Sequence, residues 1–271
     1  MNATSVFDIL AQTYDVDFTT SRIGQLQRKR VRHFLTMLLN TMNRPLQILE
    51  INCGTGEDAL WLASLGHTVV ATDASALMIE KAKNKLQNDQ NNISNISFLQ
   101  CSFDQLAGEF EESKFDLVFS NFGGLNCVNE NALQQLSNDL SAITKAEGNI
   151  FFVIMAKQCI WEILYYGIKG KFTTAFRRRK NQLNFKIDEE QLPIHYYSPG
   201  RIKKIFGISF HYRNKKPVGL FIPPSYLEKQ FELRTNMLQR LNGWEEKFSP
   251  AVLSDLADHY CISFTKTTAK K

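Results

Sequence analysis

The chain has 271 residues, enough for one α/β domain with additions and a sizeable core. Its 44% hydrophobic and 22% charged residues are ordinary for a globular protein, and a net charge of +5 permits an anionic partner without demanding nucleic acid. The five cysteines, Cys53, Cys101, Cys127, Cys159 and Cys261, stand singly, which argues against a disulfide framework or structural zinc and for a reducing, cytoplasmic setting.

The opening MNATSVFDIL lacks the basic start and long apolar core of a secretory signal, and no run of 18 apolar residues is available to span a bilayer. Contact with a membrane surface stays open. Phe7, Ile9, Leu10 and Ala11 predict a short helix, followed by a loop through Tyr14, Asp15 and Phe18. From Ser21 to Asn40 a longer helix is expected, with Val31, Phe34, Leu35 and Leu38 on its apolar face. Arg28, Lys29, Arg30 and Arg32 then read as a solvated face, or as one from which an Arg or Lys holds an acidic substrate group or a cofactor carboxylate.

The stretch from Leu46 to Asp73 organises the rest. Gln47 to Ile51 is an apolar strand, Asn52 to Gly56 supply turn chemistry, and a helical pattern starts at Glu57 and stops at Gly66. Gly54 and Gly56 let the backbone turn tightly and approach a ligand, and the loop opens on a helix N-terminus. A second strand, Thr68 to Thr72, ends on Asp73, which lies 19 residues beyond Gly54. An acid about 20 residues on is where mononucleotide-binding units meet ribose hydroxyls. A dinucleotide loop would need glycine where Glu57 stands, and a Walker loop would need a Gly-Lys-Ser or Gly-Lys-Thr that does not follow Gly56. Glu50 and Glu57 would repel a pyrophosphate. A neutral or cationic adenosine-containing ligand remains.

Glu50-Ile-Asn-Cys-Gly54-Thr-Gly56 resembles the glycine-rich first motif of class I S-adenosylmethionine-dependent methyltransferases of the small-molecule type, with Asn52 where the first glycine usually stands. Asn tolerates left-handed backbone better than most residues. The resemblance implies an α/β fold: a Rossmann-like, seven-stranded, mostly parallel sheet with helices on both faces and its last two strands antiparallel. By the same resemblance S-adenosylmethionine is the cofactor, Asp73 its ribose acid, Tyr14 a cover for its methionine end, and Met78 an apolar neighbour of its adenosine. Ser102 and Phe103 occupy the adenine-binding place, with Ser102 where many relatives carry Asp.

Further strands are expected at Ile96 to Gln100, Phe115 to Ser120, Asn149 to Met155, Phe210 to Ile222 and His259 to Thr265. Helices are expected at Ala76 to Leu86, with a polar connection over Asn84 to Ser97, then at Leu133 to Ile143 and Gly200 to Phe206, and as one pattern carrying Leu227, Phe231, Leu238 and Leu241. Pro223-Pro224-Ser225 should stop the sixth strand and cap that last helix. Asn121 begins a loop at the carboxyl edge of the fourth strand, where ligands of open parallel sheets sit. That loop reads Asn-Phe-Gly-Gly, in place of the Asn-Pro-Pro-Tyr or Asp-Pro-Pro-Tyr typical of methyltransferases acting on exocyclic or side-chain amide nitrogens, and Asn126 in it could orient a substrate or cap the loop.

The organisation expected is a helical lid over 1–44, a cofactor-binding core over 45–156, a helical cap insertion over 157–194, and the end of the sheet over 195–271. Ile160, Trp161, Leu164, Tyr165 and Ile168 would turn an apolar face to the substrate. The basic run Lys169 to Lys180 reads as a solvated helix end, with an anionic substrate, a lipid head group or RNA as the alternatives. His195 and Tyr196, in a phrase that resembles the family's entry to its last two strands, are the candidates for proton removal and substrate contact. No metal is expected. The partner is a small molecule, anionic or lipid-like, and not nucleic acid; an RNA methyltransferase and a cofactor-binding protein without catalysis are the alternatives. Thr265 to Lys271 reads as a frayed basic tail.

Overall fold

The computed structural model describes residues 3–90, 93–180, 182–187 and 189–267. Residues 268–271 of the expected basic tail, 91–92 of the Asn-rich connection, and 181 and 188 of the insertion lie outside the described residues.

The N-terminal segment forms helix α1 (Ala3–Ala11), a π-helical turn (Asp15–Thr19) and helix α2 (Arg22–Met42). The Ser21 hydroxyl accepts the Gly24 N–H at the start of α2. There follow β1 (Gln47–Ile51), α3 (Glu57–Ser64), β2 (Thr68–Asp73), α4 (Ala76–Gln87), β3 (Ile96–Gln100), α5 (Leu106–Glu109), β4 (Phe115–Ser120), α6 (Glu130–Ile143) and β5 (Thr144–Met155). The insertion folds as α7 (Ile160–Ile168), α8 (Phe172–Ala175) and a hairpin of β6 (Leu183–Ile187) and β7 (Glu190–Ile194). The chain closes with α9 (Pro199–Phe206), β8 (Phe210–Val218), α10 (Glu228–Phe231), α11 (Thr235–Lys247) and β9 (His259–Lys266).

The main sheet has the strand order β3-β2-β1-β4-β5-β9-β8. β9 runs antiparallel to both β5 and β8, and the other neighbours are parallel. This is the seven-stranded, Rossmann-like arrangement expected. Alternate residues of the central strands serve opposite faces. Leu49, Val118 and Phe152 enter a core with α6 and α9, while Ile48, Leu117, Phe151 and Val153 enter another with α2, α3 and α4. Strand order reverses between β1 and β4, which opens a crevice at their carboxyl ends.

Three expectations are corrected. β8 ends at Val218, because the next four N–H groups leave the ladder: the buried Glu245 carboxylate accepts those of Gly219, Leu220, Phe221 and Ile222. Ser225 caps no long helix, and the pattern from Leu227 to Leu241 is broken into a 3-10 turn, α10 and α11, although Leu227, Phe231, Leu238 and Leu241 are all buried. In the insertion, Trp161 and Tyr165 of α7 pack on that C-terminal cluster, so they do not face the crevice. The hairpin reaches it instead, Leu192 and Ile194 packing with Val6 and Phe7 of α1.

Candidate cofactor and substrate site

A cavity of about 540 Å³ occupies the crevice. Its floor comes from the loops after β1 to β4, through Asn52, Gly54, Asp73, Met78, Ser102, Phe103 and Asn121. These lie where the sequence placed a cofactor. Tyr14 closes the cavity from the N-terminal side, and Phe7, Cys127, Val128, Met155, Leu192 and Ile194 add an apolar wall. A recess of about 20 Å³ shares Tyr14, Asn52 and Asn121 with it and is lined also by Arg28, Glu50 and Asp58.

The loop geometry follows from its residues. Asn52 has φ +52°, the left-handed conformation its type tolerates. Its amide donates to the Asn121 carbonyl at 2.8 Å and accepts from the Ser120 hydroxyl at 2.5 Å, which ties the β1 loop to the β4 loop. Gly56 lines neither cavity. A Cβ there would lie 2.8 Å from the Phe98 ring and 2.9 Å from Ala82, so this glycine serves close packing of the α3 start on β3 and α4. Asp73 accepts the N–H of Gly54 and of Ser75, each at 2.9 Å, and so fixes the loop while lining the cavity. Burial raises its carboxyl above the usual range, and those N–H groups offset part of the rise.

Arg28 is the main departure from the sequence reading. It is buried and not solvated, and its guanidinium donates to Asp58 at 2.8 Å and sits 5.6 Å from the rings of Phe18 and Phe122. Arg32 and the Asn121 amide complete the shell, each donating to Asp58 at 2.7 Å. Burial alone would raise the Asp58 carboxyl, but Arg28 and Arg32 outweigh it and hold it below its usual range. Sequence reasoning left Asp58 out. The signal for Arg28 lay in the stripe Gly24, Arg28, Val31, Leu35, at the 4- and 3-residue steps of one helix face, all four of them buried.

Two buried polar atoms of the recess have no hydrogen-bond partner among the described residues: Arg28 Nε and Glu50 Oε2. Burial, and then Asp58, push the Glu50 carboxyl well above its usual range, with Arg28 and Arg32 offsetting only part. A cation-seeking carboxyl thus lies beside an anion-seeking guanidinium. At the opposite end the Ser102 hydroxyl donates to Asp104, which also lines the cavity. The charge missing at Ser102 is therefore present two residues on, a substitution the sequence reading did not find.

The N-terminal segment is clasped over the loops by side chains. Asp8 accepts the Ser75 hydroxyl at 2.5 Å, and Asp15 accepts from Thr55 at 2.7 Å and from Lys85 at 2.9 Å. Tyr14, between these clasps, is desolvated enough to push its hydroxyl up to about 12.

His195 and Tyr196 are not brought to the cavity. The His195 N–H donates to the Asn126 carbonyl at 2.7 Å, and its own carbonyl accepts from the Asn126 amide at 2.6 Å. Tyr196 is buried with Leu192 and Ile194, its ring 5.1 Å from the Arg178 guanidinium. Asn126 also accepts the Met155 N–H at 2.9 Å, so it caps the loop. In the basic run, Arg178 is buried and pairs with Glu162 and Asp258, and Arg177 pairs with Glu162, which contradicts a wholly solvated helix end.

Residues 48–148 match a family model described as a methyltransferase domain. The tRNA 5-carboxymethoxyuridine methyltransferase of Escherichia coli K12 is 28% identical over 113 residues, which are 41% of this chain and 42% of that protein. The chain thus spans less than half the length of this relative. An uncharacterized methyltransferase of Schizosaccharomyces pombe is 31% identical over 104 residues, 38% of this chain and 68% of its own. Among solved structures, magnesium protoporphyrin IX methyltransferase of Synechocystis PCC 6803, determined with bound SAH, superposes with a TM-score of 0.58 at 14% identity, covering 90% of this chain and 85% of that one. With the glycine-bearing loop, Asp73 and the strand order in place, the chain belongs to the class I S-adenosylmethionine-dependent methyltransferase family.

Proposed function

We propose that the cavity holds S-adenosylmethionine and that the chain transfers its methyl group to a small, largely apolar acceptor. The observation that carries the cofactor reading is the pair of unpartnered buried atoms, Arg28 Nε and Glu50 Oε2, beside the Asn52 to Gly56 loop. An amino acid tail offers a carboxylate to the first and an ammonium to the second. Asp73 would hold the ribose hydroxyls, Met78 and Phe103 would flank the adenine, and Ser102 with Asp104 would meet its amino group. When bound, the cofactor supplies an electrophilic methyl group on a sulfonium.

The chain's own residues then position and shield. Asp8 and Asp15 hold Tyr14 over the loop and exclude water. Holding a nucleophile in line accounts for up to about 7–11 kcal/mol of barrier, so no covalent chemistry is asked of the protein. The acceptor's side of the cavity is walled by Phe7, Cys127, Val128, Met155, Leu192 and Ile194, which supports an apolar small molecule over a nucleoside in RNA. His195 and Tyr196 support that wall from behind and act on the acceptor only through it.

Isothermal titration with S-adenosylmethionine and S-adenosylhomocysteine, with NAD as control, tests the cofactor. Saturable binding is expected, weakened about 10- to 100-fold in Asp73→Ala, because hydrogen bonds to a charged group are lost. Turnover is then assayed with apolar phenols, quinols and carboxylic acids against bulk tRNA. Methylation of tRNA alone would reject the small-molecule acceptor, and absence of adenosyl-ligand binding would reject the whole reading.

A further inference from the structure

From Ile163 to Ile187 the sequence holds no Asp or Glu but seven Lys or Arg. Arg177 and Arg178 are spent internally on Glu162 and Asp258, and Lys186 lies 3.6 Å from Glu189. Lys169, Lys171, Arg179 and Lys180 are exposed and have no acidic partner among the described residues. Lys169 and Lys171 flank Gly170 in the turn that joins α7 to α8, and Arg179 and Lys180 follow α8. Gly170, at φ +69°, reverses the chain there, and the Lys171 N–H returns to the Tyr166 carbonyl at 2.9 Å. The turn therefore presents Ile168, 88% exposed, and Phe172, 65% exposed, on either side of Lys169 and Lys171, with Leu164, 55% exposed, one helical turn earlier.

Large apolar side chains at the apex of a turn, interleaved with cations in the chain, form the pattern that enters a lipid interface: apolar tips among the acyl chains, ammonium and guanidinium groups at the phosphates. Of the three exposed apolar side chains only Phe172 has a face on which a nucleobase could stack, and the two aliphatic ones, Ile168 and Leu164, favour lipid over RNA. A two-fold contact between copies would set like charges against each other. The tip is also continuous with the cavity wall. The Arg177 guanidinium lies 5.8 Å from the Tyr166 ring of α7 and 5.7 Å from the Phe185 ring of β6, whose hairpin partner carries Leu192 and Ile194.

We infer that the α7–α8 turn docks on an anionic bilayer surface, with Ile168 and Phe172 entering the boundary of head groups and acyl chains and Lys169, Lys171, Arg179 and Lys180 pairing with lipid phosphates. This does not rest on the reaction proposed above. The test is co-sedimentation of the full chain with vesicles of phosphatidylcholine and of an equimolar phosphatidylcholine–phosphatidylglycerol mixture. Binding to the mixed vesicles is expected. It should fall about tenfold or more in Ile168→Asp/Phe172→Asp and again in Lys169→Glu/Lys171→Glu, and hold in Met37→Asp, at a residue 55% exposed on α2.

All four tip positions are exposed, so melting close to wild type is expected; if the double variants melt early, Ile168→Ser and Phe172→Ser singly take their place, each with a smaller loss. Three results overturn the inference. They are no binding to mixed vesicles, binding that ignores the Ile168/Phe172 changes and vanishes with salt, and loss in these variants of tRNA retardation or of self-association where vesicles do not bind.

Discussion

Two buried clusters of this chain set arginines against acids, and they differ in how completely they are paired. Around Glu162 and Asp258 the guanidinium of Arg178 uses all three nitrogens: Nε donates to Glu162 at 2.9 Å, Nη2 to the Asp258 carboxylate at 2.6 Å and Nη1 to the Asp258 carbonyl at 2.8 Å. Around Asp58 the pairing stops short. Arg28 gives Nη1 to Asp58 and leaves Nε without a partner, beside a Glu50 whose Oε2 also has none. The first cluster fastens the insertion to the loop before β9 and has no further valence. The second borders the cavity and keeps one donor and one acceptor free. A saturated ion cluster holds a fold, and an unsaturated one at a cavity is available to a ligand.

The largest expected effect comes from breaking the saturated cluster. Arg178→Met leaves Glu162 and Asp258 as buried, underpaired carboxylates, a change that costs about 3–5 kcal/mol. The melting temperature should drop by roughly 10 °C for a chain of this size, while cofactor affinity at a temperature where the variant is folded stays within about twofold of wild type. Acid titration sharpens the point. Burial would raise the Asp258 carboxyl, but His259 and Arg178 outweigh it and hold it below its ordinary range. Its contribution is present above the unfolded value, near about 3.9, and is lost only as pH falls through the lower folded value. In Arg178→Met that loss should begin at a higher pH. A shift below about 1 kcal/mol, with the acid limb unchanged, would mean the cluster does not hold the insertion.

Breaking the unsaturated cluster should have the opposite profile. In Arg28→Met, Arg32 and Asn121 still donate to Asp58, so stability falls less than in Arg178→Met. Affinity for S-adenosylmethionine should fall by about 1.5–3 kcal/mol, or 10- to 100-fold, through loss of a charged hydrogen bond. Calorimetry with S-adenosylmethionine and with adenosine separates the roles, because adenosine lacks the carboxylate and should bind both proteins alike. Equal losses for the two ligands would place Arg28 outside the methionine end.

This contrast also marks what could be read from the residues. The sheet was legible because its signals are local: apolar runs of five or six residues, Asn52 to Gly56 between strand and helix, and Asp73 at its fixed offset. The floor of the cavity followed, since loops at the ends of known strands must meet. The charge clusters did not follow, because each joins residues far apart in the chain. Arg28 meets Asp58 and Arg178 meets Asp258 only after the sheet is built, and a basic residue in a helical pattern reads as solvated until its partner is known. The hairpin of β6 and β7 was missed for a different reason. Leu183, Phe185, Ile187, Leu192 and Ile194 alternate as a strand pair does, but the helical pattern of α7 and α8 dominated the reading of the insertion. The place of His195 and Tyr196 in their phrase does not carry their orientation, and hydrogen bonding to Asn126 and the pull of Arg178 direct them elsewhere.

A smaller effect tests how Asn52 is accommodated where the family usually has glycine. A Cβ on Gly124 would lie 2.3 Å from Asn52 Cγ and 2.7 Å from Asn52 Cβ, so the Asn side chain occupies space that only a glycine at 124 leaves open. Asn52 cannot swing aside without breaking its bonds to Ser120 and the Asn121 carbonyl. Gly124→Ala should therefore cost about 1–3 kcal/mol by overpacking. Asn52→Gly removes the obstacle and eases the backbone at φ +52°, at the expense of the two bonds. In the double variant the three nearest atoms that the alanine at 124 would meet are gone, and it should be more stable than the sum of the singles by about 1 kcal/mol or more. Thermal unfolding of the four proteins without ligand gives this coupling. Additivity within about 0.5 kcal/mol would mean that Asn52 found its place without the space left at Gly124.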